Sequence, residues 1–141
     1  MRRLLPAAMA ILLAAMAAPS LAGRFAWVGS ANTKTISLAD LSTAVANGIT
    51  HECTLSYPYR QFAFYVSAAD YFNPKDGIYT YTSTVTLFRR DSKWADGPPV
   101  ESYSFTGYRQ GGPALPVRQQ LLLSAARTST LEVCRRAMAR R

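Results

Sequence analysis

The sequence predicts an α+β domain: a small antiparallel sheet of about four strands, one or two helices packed on one face, and one disulfide. Three observations predict it. From residue 49 onward apolar and polar residues alternate with period two through several segments, the pattern of half-buried strands. Just before them, residues 37–48 carry the start and stop chemistry of a helix. The chain holds two cysteines, and its first residues read as an export signal, so both thiols reach a compartment where cysteines pair.

The amino terminus, MRRLLPAAMAILLAAMAAPSLAG, has a basic start, an apolar stretch and a small-x-small site before Gly23. This predicts a signal peptide over residues 1–22, with cleavage after Ala22. The stretch is too short and too alanine-rich to span a bilayer, which needs about 20 strongly apolar residues. The remainder, 23–141, has the length of one domain with one core and ends in a basic tail. The expected location is the periplasm or the medium beyond it. Formal charge is +8, and losing Arg2 and Arg3 leaves +6. Arginine outnumbers lysine and alanine is abundant, as a GC-rich bacterial genome produces.

Ser37 can cap a helix, Asp40 suits its positive end, Gly48 suits a left-handed stop, and Leu38, Leu41 and Val45 form an apolar stripe. Residues 49–57 then alternate, with Ile49, His51, Cys53, Leu55 and Tyr57 on one face of an expected strand. Phe62, Phe64 and Val66 alternate with Ala63 and Tyr65. Residues 71–77, YFNPKDG, read as a turn. Tyr79, Tyr81, Val85 and Leu87 oppose Thr80, Thr82, Thr84 and Thr86. An ice-binding array would need such a threonine row on several strands, so one row reads as ordinary β composition. Residues 101–108 give the last strand. Phe25–Val28 reads as a short edge strand or an arm. Residues 117–126 read as a helix, and 128–134 fit either more helix or a final strand carrying Cys134.

For chemistry, Cys53 and Cys134 are expected to pair. The alternative is a Cys/His hydrolase in which Cys53 is the nucleophile and His51 its base, but that needs a free thiol. On an apolar strand face His51 reads as a packed core residue. One histidine and two cysteines fall short of four zinc ligands, and no other catalytic or phosphate-binding signature is present. No cofactor and no nucleic acid is expected. The loop after the third strand places Arg89, Arg90, Lys93 and Trp94 together, residue types that anchor interfaces, unless Trp94 folds back under the loop and caps the core. Arg135, Arg136, Arg140 and Arg141 form a rival surface for an anionic lipid or an envelope polymer. The expected function is a non-catalytic module of the bacterial envelope that recognises another protein.

The stretch Leu38-Ala-Asp-Leu-Ser-Thr-Ala-Val-Ala-Asn-Gly48, followed by an expected strand with Cys53, an antiparallel region and Cys134 near the end, resembles the layout of the small exported VirK proteins of bacteria. The chain departs from them in lacking a glycine-rich ending. The resemblance implies an exported α+β domain without an established catalytic activity, and it carries no functional residue over.

Overall fold

A computed structural model describes residues 25–90 and 98–141; the leader expected at 1–22 lies outside them. The elements run β1 (Ala26–Asn32), α1 (Leu38–Gly48), α2 (His51–Ser56), β2 (Phe62–Asn73), β3 (Ile78–Arg89), β4 (Glu101–Gln110) and α3 (Leu115–Ala139). They form the expected four-stranded sheet with helices on one face, in the order β1-β2-β3-β4. β2, β3 and β4 are an antiparallel meander, whereas β1 pairs parallel with β2. A parallel neighbour needs a crossover, and α1 with α2 provides it.

The β2–β3 hairpin keeps full register from Phe62↔Arg89 to Asn73↔Ile78. Its turn follows from NPKDG: the Asn73 side chain accepts from Lys75 N, Asp76 accepts from Ile78 N, and Gly77 takes φ +67°. The strand therefore runs through Tyr71 and Phe72, and the turn is shorter than the 71–77 expected from sequence.

α1 starts as expected. The Ser37 hydroxyl accepts from Asp40 N and the Asp40 carboxylate accepts from Ser37 N, a reciprocal cap. These hydrogen bonds hold the Asp40 pKa below the ordinary carboxylate value. Leu41 and Val45 are buried, but Leu38 is exposed and Ala44 and Gly48 complete the stripe. Gly48 is no left-handed stop; among the described residues, positive φ occurs at Gly77 and Gly111. It is small because α3 crosses there: a Cβ at Gly48 would meet Arg127 O at 2.6 Å and Thr130 Cβ at 2.7 Å. Gly48→Ala should push the helices apart and cost about 1–3 kcal/mol in urea unfolding, as overpacking does.

Residues 51–56 are helix rather than strand. Thr50 caps the segment by accepting from Cys53 N at 3.2 Å, and Tyr57 N closes it on Cys53 O. Ile49, Cys53 and Tyr57 recur every four residues, so they lie on one face in either geometry. His51 and Leu55 discriminate, and both are exposed. Residues 38–56 thus hold two successive helices, α1 and α2.

α3 is one helix of 25 residues. Leu122, Ala126, Ser129, Val133 and Ala137 recur at helical spacing and are buried. The apparent alternation at 128–134 fails at Leu131, which is 47% exposed. The buried hydroxyls of α3 are satisfied: Ser129 donates across to Ser83 O of β3 at 3.1 Å, and Thr130 donates within the helix to Ala126 O at 2.8 Å. The core between helices and sheet joins Leu41, Val45, Phe64, Val66, Val85, Leu87, Leu122 and Val133.

The disulfide joins Cys53 of α2 to Cys134 of α3, with Cα atoms 5.6 Å apart. Beside it the Tyr57 hydroxyl donates to Ala137 O at 2.7 Å. A disulfide fits an oxidising, non-cytoplasmic environment. No described helix is long and apolar enough to cross a membrane.

Candidate binding face

The helices cover one side of the sheet, so alternate strand residues are left on the other. The register aligns them in rows. Ser30, Ser67, Thr84 and Ser104 form one row across all four strands, and Asn32, Ala69, Thr82 and Thr106 form the next. Val28, Tyr65, Thr86 and Ser102 lie on one flank, and Tyr71, Thr80 and Tyr108 on the other. Thr82 pairs with Thr106 at 2.9 Å, Thr86 with Ser102 at 2.9 Å, and Thr84 with Ser104. Such pairs fix β4 on β3 and leave further lone pairs toward solvent. The threonine row of β3 is therefore one part of a hydroxyl field that continues on its neighbours.

These four rows contain no charged side chain, in a chain of formal charge +8. Their large side chains stand out: Tyr71 is 66% exposed, Tyr108 72% and Val28 45%. Between Tyr71, Asn32, Ala69, Thr80 and Thr82 lies a shallow depression of about 340 Å³, which the edge of Asp70 also borders. It exists because Ala69 is small where its row neighbours are not.

The carboxylate of Asp70 anchors this end of the sheet. It accepts from Thr33 and Thr35, in the segment between β1 and α1, and from Tyr79 OH at 2.8 Å. Burial pushes its pKa up, but the three hydroxyl donors and the Arg118 charge outweigh burial, and the net displacement is downward. Burial and the Asp70 partner push the Tyr79 phenol upward. Arg118 caps the cluster, its guanidinium 5.5 Å from the Phe72 ring and 5.3 Å from the Tyr79 ring.

The residues singled out from the sequence distribute elsewhere. Cys53 is bonded to Cys134, so its sulfur is no thiolate, and His51 is an exposed helix residue rather than a core one. Lys93 and Trp94 lie outside the described residues. Arg89 stands 5.7 Å from the Phe62 ring, and Arg90 donates to Tyr59 O at 2.7 Å. The basic tail is the last turn of α3 and its end, and its guanidinium groups have partners. Glu132 accepts from Arg135 and Arg136, and these bonds draw its pKa down to about 2. Arg136 also sits 4.6 Å over the Tyr103 ring. Arg140 Nε lies 3.0 Å from the buried Glu101 carboxylate, and Arg141 donates to Ser56 O while covering Tyr57.

Tyr71 and Tyr108 escaped the sequence reading. A signal was present: closing the turn between Asn73 and Ile78 opposes Tyr71 to Thr80. A larger groove of about 450 Å³ lies between α1 and α3, lined by Asp40, Asn47, Gln120 and Arg127 among others. There Asp40 is occupied by the helix cap. No group of three or more metal-ligating residues occurs among the described residues.

No family model and no curated protein matches the chain. Among solved structures it is similar to the PelC subunit of a dodecamer from Paraburkholderia phytofirmans, at 19% identity and a TM-score of 0.38, over 82% of this chain and 92% of that one.

Proposed function

We propose that the protein is an exported, non-catalytic binding module of the bacterial envelope, periplasmic or secreted, whose contact surface is the open face of its sheet. The observation that carries this reading is an uncharged field of hydroxyls spanning four strands, flanked by exposed tyrosines on a disulfide-tied scaffold. A rigid sheet holds such groups in place at little entropic cost on binding. The residues with clearly displaced acid–base behaviour support a structural role instead of chemistry. Asp70 and Tyr79 bond each other, and Glu132 is held by the arginines of its own helix. The basic tail is a weaker candidate for contact, because its arginines are engaged within the molecule.

Thr84→Arg places a long cation in the middle of the field. Retention of envelope components on the immobilised protein should be lost, while the missing Thr84–Ser104 bond changes unfolding by only about 1 kcal/mol. Arg140→Gln with Arg141→Gln should leave retention in place. The opposite pattern would transfer the contact surface to the tail.

A further inference from the structure

We infer that the open face binds a neutral, extended polysaccharide, an inference that rests on reading this face as the contact surface. Tyr71 and Tyr108 share one row with Thr80 between them, so their backbones stand two strand spacings, about 10 Å, apart. Both rings are largely exposed. A pyranose ring has an apolar C–H face, which stacks on an aromatic ring, and a rim of hydroxyls, which exchange hydrogen bonds with Thr, Ser and Asn. Tyrosine is suited to the first contact because its ring is apolar and its tip polar. In an extended β-linked glycan every second sugar presents the same face, so two rings separated in this way engage alternate residues of one chain. The Thr80, Thr82 and Asn32 side chains border the depression beside Tyr71, where a sugar substituent is received.

Charge selects among occupants. The rows are uncharged although the chain as a whole is basic, so the face itself places no cation to pair with the charged groups of a polyanion. A second copy of the sheet is a poor fit: packing would bury the Ser30–Ser67–Thr84–Ser104 row in a dry interface, where unpaired hydroxyl capacity is costly. A hydroxyl-rich neutral chain satisfies both the hydroxyl rows and the tyrosines.

The test is native electrophoresis in gels cast with soluble hydroxyethyl cellulose, mixed-linkage β-glucan or glucomannan, with an anionic polygalacturonate gel in parallel. Wild-type protein should be retarded by at least one neutral glycan, unaffected by added salt. Tyr71→Ala and Tyr108→Ala should each weaken binding about tenfold, as loss of an anchor does. Their melting temperatures should not change, since both side chains are exposed. Tyr71→Phe and Tyr108→Phe keep the ring and should keep binding. Retardation undiminished by both alanine variants, or confined to the anionic gel, overturns the inference. So does the absence of retardation in every neutral gel. If Thr84→Arg still abolishes retention of envelope components in that last case, the face remains the contact surface and its ligand is not a neutral glycan. If Thr84→Arg has no effect there, the underlying reading falls as well.

Discussion

Cys53→Ser and Cys134→Ser should each destabilise the protein by about 4 kcal/mol in urea unfolding. The bridge joins residues 81 apart, and closing a loop of that order removes about 4–5 kcal/mol of unfolded-chain entropy in the loop-closure model. A domain of this size has a net stability of about 5–15 kcal/mol, so the loss is a large fraction of it. The effect should also be local. α2 has six residues, too short to persist as a helix without tertiary contacts. The disulfide and the Tyr57–Ala137 bond tie it to α3. Backbone amides of residues 51–57 should therefore exchange faster in both variants while the β2–β3 amides stay protected. Reduced wild type should match the single variants, and the double variant should lose no more than either, since one bridge is removed in every case. Additive losses in the double variant would show two independent cysteine roles.

Asp70→Asn should cost about 3 kcal/mol, and the loss should depend on pH. Three hydroxyls converge on the carboxylate. The amide supplies one acceptor oxygen in place of two and carries no charge. The Tyr79 ring is fully buried, and its hydroxyl would be left without a good acceptor, at about 1–3 kcal/mol. Because the folded pKa of Asp70 lies below its unfolded value near 3.9, the folded state binds fewer protons in the interval between them. Stability therefore rises with pH across that interval. The carboxylate's contribution is fully present above about pH 4 and is lost as pH falls through the folded pKa. Wild-type and Asp70→Asn melting temperatures should differ most at neutral pH and converge on acidification. A gap that stays constant down to low pH would show that side-chain shape, rather than the charge, sets the cost.

Much of this architecture was legible because it depends on local pattern. The cap of α1 needs residues 37 and 40 alone, and the β2–β3 hairpin follows from turn chemistry flanked by alternation. Where periodicities coincide, sequence fails. Ile49, Cys53 and Tyr57 are spaced by four, a multiple of two and close to a helical turn, so strand and helix predict the same buried set. The outcome turned on the Thr50 cap and on α3, which offers Cys134 and Ala137 to that face. The same competition decided residues 128–134, where two buried hydroxyls imitate strand polarity yet bond within the helix and to the sheet beneath it.

By itself the sequence determined the class of fold, the pairing of its cysteines and the identity of α1, β2, β3 and β4, since each rests on contacts near in sequence or, for the cysteines, on having one possible partner. Tertiary structure alone decided that β1 lies parallel to β2, that Gly48 serves a helix crossing, and that Arg140 and Arg141 are engaged by Glu101 and Ser56. It also decided that hydroxyls scattered from Ser30 to Thr106 form one field between Tyr65, Tyr71 and Tyr108. The physical reason is register: alternation assigns a residue to a face, but only the pairing of one strand with the next sets which residues on that face become neighbours.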